Sequence, residues 1–311
     1  MTRFFTCLVS LSLAAQAVAQ SASDWPQFLG PQRNGVSPET GLIETWPQGG
    51  PREVWRVKGG VGMSGLAVSR GRLVTMVQSS GKQNVICLQA KTGKTIWQTP
   101  VAPQYENPQG DGPRATPTIA GDLVLTFTGE GMLVALRLAD GGVVWSRDGV
   151  AERGGKPADY GMASSPLVVE NMTVVHVGAP QATVAAYDTR SGEPLWTSGK
   201  AEAAGYSSPQ WLDVGGRRQV VSFTGGSVQG LAAETGDVLW RHPYVTDFHC
   251  NIAAPLAYDG RVFISAGENH GSVLLDLKPQ GETFQVSEVW SSQGTGSVLR
   301  NEWQTSILLD G

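Results

Sequence analysis

The feature that most constrains this 311-residue chain is a phrase it repeats. AKTGKTIW closes at Trp97, LADGGVVW at Trp145, TRSGEPLW at Trp196 and AETGDVLW at Trp240, each with a glycine four residues before the tryptophan. A looser copy ends at Trp290 and a leading one at Trp55, so the closing tryptophans stand 42, 48, 51, 44 and 50 residues apart. An internal signature recurring every 40 to 50 residues specifies a repeat architecture, in which each unit is one supersecondary element that buries its faces only by stacking on its neighbours.

Before each phrase lie three short apolar or alternating runs, as in SSPLVVEN, TVVHVGAP and TVAAYDTR, and the segment carrying the tryptophan supplies a fourth. Thr92-Gly93, Asp140-Gly141, Ser191-Gly192 and Thr235-Gly236 provide the φ > 0 position that a tight hairpin requires. Apolar residues alternate with period two, as in Val174 to Val177, and no window holds a helical period. The expected fold is all-β: a β-propeller of four-stranded antiparallel blades. A large flat side chain at one fixed position per blade fills an interface, so Trp55, Trp97, Trp145, Trp196, Trp240 and Trp290 read as blade-interface residues. Trp55 closes a blade whose first strands do not precede it, and the final SILLDG matches the opening of another blade. The expectation is therefore seven or eight blades in the intact protein, about five complete here, in a C-terminally truncated chain.

The first residues combine Arg3, an apolar stretch from Phe4 to Ala15 and a small-x-small site at Ala17-Val18-Ala19, the pattern of a secretory signal peptide over 1–19. Residues 20–45 form an N-terminal extension carrying WPQFLGPQRNG, and 46–311 the propeller. The mature chain is expected to be exported, periplasmic or extracellular, with no transmembrane segment. Charged residues make up only 16% and the formal net charge is −4, so a nucleic-acid partner is excluded as an expectation. Cys87 and Cys250 fall in blades far apart and read as small buried side chains, not a disulfide. His176, His242, His249 and His270 lack the paired spacing of a zinc site, so no metal site is expected.

The A-x-T-G-x-x-x-W core resembles the PQQ-like β-propeller repeat, shared by quinoprotein dehydrogenases and by the propeller lipoprotein of the outer-membrane assembly machine. The segment DWPQFLGPQRNGVSPETGL (24–42) is similar to the N-terminal motif of a group of exported bacterial proteins abundant in planctomycetes. The resemblance implies a propeller, and with it either a binding use or a quinone cofactor with calcium. Against the second stand the isolated Cys87 and Cys250, where quinoprotein dehydrogenases carry two adjacent cysteines over the quinone. The lack of a CxxCH haem site and of a nameable catalytic base weighs the same way.

Ligands of propellers sit at one mouth of the central channel, reached by the loops that enter each innermost strand. Those loops are 60–65, 111–117, 158–166, 204–209, 247–255 and 300–306. They bring Arg114, Tyr160, Tyr206, His249, Asn251, Glu302 and Trp303 to one end, a set suited to a polar planar ligand. Asn251, Glu302 and Asn301 are the residues that could approach a calcium ion. The reading reached is a monomeric, non-catalytic binding or scaffold module of the cell envelope, its partner an envelope protein, a glycan or a small polar ligand. The alternative is a PQQ-dependent alcohol or sugar dehydrogenase. The segment 24–42, with its Trp25, Phe28 and Arg33, is either a lid or latch packed across one face of the ring or a free tail or docking peptide.

Overall fold

The computed structural model describes residues 24–267 and 270–309; the signal peptide expected over 1–19 lies outside the described residues. Among the described residues the strands form five antiparallel four-stranded sheets, and each sheet is one unit of the repeat. Blade 1 holds β1 (Ala67–Ser69), β2 (Arg72–Ser79), β3 (Lys82–Gln89) and β4 (Thr95–Pro103). Blade 2 holds β5 (Thr118–Ala120), β6 (Leu123–Phe127), β7 (Met132–Arg137) and β8 (Val143–Asp148). Blade 3 holds β9 (Leu167–Val169), β10 (Met172–Ala179), β11 (Ala182–Asp188) and β12 (Pro194–Ser198). Blade 4 holds β13 (Gln210–Val214), β14 (Arg217–Phe223), β15 (Ser227–Leu231) and β16 (Val238–Pro243). Blade 5 holds β17 (Leu256–Tyr258), β18 (Arg261–Ala266), β19 (Gly271–Gln280) and β20 (Thr283–Gln293). The first strands β1, β5, β9, β13 and β17 touch in chain order, which puts them innermost and the tryptophan strands outermost. The fold is a β-propeller.

The core lies between blades, not within them. Val74, Val85 and Cys87 of blade 1 meet Val124 and Leu136 of blade 2, and three further clusters join blades 2 and 3, 3 and 4, and 4 and 5. Each fully buried Val, Leu or Phe contributes roughly 1.5–3 kcal/mol, so each interface is a hydrophobic core in its own right. Cys87 and Cys250 are both free and buried.

The tryptophan position has a local cause. In every blade the ladder between third and fourth strand slips by one residue beside the tryptophan: Cys87 faces Trp97 but Leu88 faces Thr95, and the same shift follows Ala135, Ala186, Gly230 and Leu274. A bulge of this kind bends the strand and re-aims a side chain. The residue opposite the indole is Cys, Ala, Ala or Gly in the first four blades, which leaves room for the ring.

The extension packs along the inner strands. Trp25 exchanges backbone hydrogen bonds with Val68 of β1 at 2.7 Å, and the amide of Ile119 in β5 donates to the Pro26 carbonyl at 2.7 Å. Arg33 then reaches the entrance of β9, donating to the carbonyls of Pro166 and Ser165 at 3.3 Å each. Residues 24–33 thus run across three successive blades, joined to blades 1 and 2 by backbone pairing and to blade 3 by the Arg33 side chain.

Candidate functional site at the channel mouth

The loops that enter the innermost strands are stitched to one another by hydroxyl groups. The amide of Thr116 donates to Ser165 Oγ, and the amide of Ser165 to Ser208 Oγ, both at 2.9 Å. The amide of Ala254 donates to Thr305 Oγ1 at 3.0 Å, and Ser207 Oγ donates to the Ala253 carbonyl at 3.0 Å. Each small hydroxyl residue answers a backbone group of the adjacent blade, as buried loop backbone demands.

Inside this rim lies a central cavity of about 480 Å³. Trp25, Phe28, Met63, Ile252 and Trp303 give it apolar walls, while Arg114, Ser165, Tyr206 and Ser208 supply polar groups. Its volume falls within the ~300–1,000 Å³ common for small-molecule sites. A second cavity of about 180 Å³ opens between the loops preceding β9, β13 and β17, lined by Lys156, Asp159, Gly178, Tyr206, Phe248 and His249.

The structure distributes the residues expected at the mouth among different tasks. Arg114, Tyr206 and Trp303 line the central cavity. Tyr206 and His249 line the second, and Tyr160 stacks on Tyr206 with ring centroids 5.6 Å apart. Arg114 binds loop backbone: it donates to the carbonyls of Gly110 at 2.6 Å, Gly112 and Tyr160, and its guanidinium lies 4.7 Å from the centre of the Tyr105 ring. Asn251 is fully buried. Its Nδ2 donates to the carbonyls of Thr224 at 2.6 Å and Tyr244 at 3.0 Å, its Oδ1 accepts from Thr246, and its own carbonyl accepts from the amides of Tyr206 and Ser207. Glu302 packs over Gly267, where an added Cβ would collide with its carboxylate, and lines neither cavity. Trp303 is 73% exposed.

Burial sets the electrostatics. It pushes the Tyr206 hydroxyl up to about 12, so this group stays protonated and can donate. Burial also lowers Arg114 from its ordinary value. Burial alone would raise the Glu202 carboxyl, but hydrogen bonds from Thr224 and Ser227 Oγ and the 3.0 Å pair with Arg241 outweigh it and hold it below the usual range.

Residues that the sequence reading passed over complete both cavities. Leu29 joins Trp25 and Phe28 on the central wall. Phe248 sits on the second beside the expected His249, both in the left-handed region at φ 56°. Such a conformation costs a non-glycine residue on the order of 1–3 kcal/mol. No turn signature marks Phe248, because Gly, Asn and Asp carry the sequence signal for positive φ and a phenylalanine there is held by its surroundings.

Residues 44–155 and 106–305 match a family of PQQ-type repeats described as outer membrane protein assembly factor BamB. The chain belongs to this family. A 126-residue stretch of this PQQ-type propeller is 28% identical to quinoprotein alcohol dehydrogenase PedH of Pseudomonas putida, covering 39% of the chain and 20% of the relative. Among solved structures, quinohemoprotein alcohol dehydrogenase of Comamonas testosteroni aligns with a TM-score of 0.55 at 15% identity, over 87% of this chain and 48% of that one. A europium-containing methanol dehydrogenase aligns at 0.52 and 12% identity, over 74% and 61%. The chain thus spans a fifth of the curated relative and about half to three fifths of the solved ones. At these identities the structural likeness establishes the propeller fold.

Proposed function

We propose that this PQQ-type propeller is a non-catalytic binding module of the cell envelope that receives a ligand or a partner surface at the channel mouth. The observation that carries this reading is the lining of the central cavity. No Asp or Glu is among the described residues that line it, and Arg114, a cation there, already donates to three backbone carbonyls. A quinone with its calcium ion needs hard oxygen ligands, and alcohol oxidation needs a base beside the reacting carbon. The donor set of this cavity fits neither. It fits a planar, largely neutral group held between aromatic walls and hydroxyls.

Export to the periplasm or beyond rests on the signal-like first nineteen residues, and no described helix is long and apolar enough to cross a membrane. The reading is tested by titrating the protein with PQQ and calcium under tryptophan fluorescence, followed by dye-linked alcohol oxidation. Absence of turnover is expected, together with an envelope component retained by the wild type and lost by Trp303→Ala. Turnover with alcohols would overturn the reading in favour of a quinoprotein dehydrogenase.

A further inference from the structure

We infer that the second cavity, between blades 3, 4 and 5, is a subsite for one neutral sugar residue of a glycan. Its volume of about 180 Å³ lies below that of drug-sized pockets, so its occupant is a single ring-sized unit. It shares only Tyr206 with the central cavity, so the inference stands whether or not the central cavity is used for binding.

The backbone builds this cavity at a cost. Phe248 and His249 are consecutive left-handed residues, a conformation in which the Cβ of an L-residue crowds its own carbonyl. They are held there by the amide of His249 donating to Thr246, the amide of Asn251 donating to His249, and His249 Nδ1 placed 3.1 Å from the Gly225 carbonyl. The result is an aromatic ring 63% exposed at the edge of a cavity, where burial would otherwise be favoured. Another part of the lining is built just as specifically. A bulge in β10 puts Gly178 at φ 58°, and a Cβ at this position would run into the backbone of Ala204.

The polar rim matches hydroxyl groups. The Lys156 ammonium and the Asp159 carboxylate enter no ion pair or side-chain hydrogen bond among the described residues. His249 Nδ1 lies 3.1 Å from the Gly225 carbonyl, the placement of a donor, which assigns the Nδ1–H tautomer and leaves Nε2 as the acceptor. The Tyr206 hydroxyl remains a donor. A sugar hydroxyl donates and accepts at once, so adjacent ammonium, carboxylate and imidazole groups can each be satisfied by vicinal hydroxyls. One cation and one anion sum to zero, which favours a neutral occupant over a charged one. The carbon-bound face of a pyranose is apolar and flat, and Phe248 offers it a platform.

The test is a ligand-observed NMR titration of the folded chain with glucose, N-acetylglucosamine, cellobiose and chitobiose. Saturable binding of at least one of these is expected, weakened on the order of fivefold by Phe248→Ala and also by the isosteric Asp159→Asn. Tyr258→Ala, an exposed aromatic outside both cavities, leaves the affinity unchanged. Thermal melts confirm that each variant is folded. Binding of none of the four sugars overturns the inference, as does binding that ignores both Phe248→Ala and Asp159→Asn. Glycine and alanine are run in parallel, and saturable binding of these zwitterions without any sugar would equally overturn it.

Discussion

The indole of Trp145 lies against the Cα of Gly192, so close that a Cβ built on that glycine would stand 2.6 Å from the ring, and its Nε1 donates to the Thr189 carbonyl at 3.0 Å. The tryptophan belongs to blade 2 and the glycine to the hairpin of blade 3. Trp55 with Gly93, Trp97 with Gly141 and Trp196 with Gly236 repeat the relationship, each indole also donating to a hairpin carbonyl. One glycine therefore meets two demands, a positive φ of 70–75° for its turn and a bare surface for the neighbouring ring.

Gly192→Ala violates both demands. The left-handed backbone costs about 1–2 kcal/mol, and displacement of the indole adds a similar amount, for a loss on the order of 3 kcal/mol. Gly59→Ala, at a position of ordinary φ with nothing within 4 Å, leaves stability unchanged. Urea unfolding of the two variants checks the contrast, and equal midpoints would mean that the ring yields without cost.

This pairing explains why the blades were readable and parts of the mouth were not. A turn glycine and a tryptophan four residues later form a local code, legible without knowledge of neighbours. Trp240 departs from the code because the next hairpin carries Pro279-Gln280-Gly281-Glu282 in place of the Thr-Gly phrase. Its Nε1 turns to Gln219 of its own blade at 2.6 Å, and Trp290 is left 37% exposed beside Phe263. Asn251 drew attention as a polar residue in a mouth loop, yet its partners, Thr224 and Tyr244, are chosen by tertiary approach of another loop and by the end of β16. The extension's motif was visible, but its course along β1 and β5 depends on backbone pairing that side-chain patterns do not encode.

Asn251→Ala removes two amide donors from buried carbonyls and frees the hold on the 247–255 loop. Leaving these groups unpartnered costs about 2–4 kcal/mol. Trp303→Ala, largely exposed, stays within about 0.5 kcal/mol of the wild type. Denaturant midpoints separate the two, and a neutral Asn251→Ala would sink the structural role assigned to that amide.

Deleting residues 24–35 strips the paired backbone of Val68 and Ile119 and withdraws Trp25 and Phe28 from the channel wall. It also removes the partner of Ser69, whose hydroxyl donates to Asp24 at 2.7 Å. The expected loss is at least about 3 kcal/mol, seen as a lower melting temperature. An unchanged melting temperature would show that the segment is not part of the folded unit.

His176 supplies a pH dependence whose sign can be worked out. It is fully buried in β10, and neither ring nitrogen has a hydrogen bond of normal geometry among the described residues, although the backbone of Ser207 and Ala204 lies close enough to favour the charged ring. Burial lowers its pKa from 6.5 to about 4; the charge of Glu202 opposes the shift and that of Arg33 reinforces it. Between those two values the unfolded chain binds a proton that the folded chain refuses, so stability falls as pH drops from about 6.5 toward 4. The loss reaches at most about 3 kcal/mol at the acid end and is absent above pH 7. His176→Gln cannot titrate and should flatten this limb, whatever its effect at neutral pH. Urea midpoints measured from pH 4 to 8 for both proteins test the point, and parallel curves would assign the acid sensitivity to the carboxylates instead.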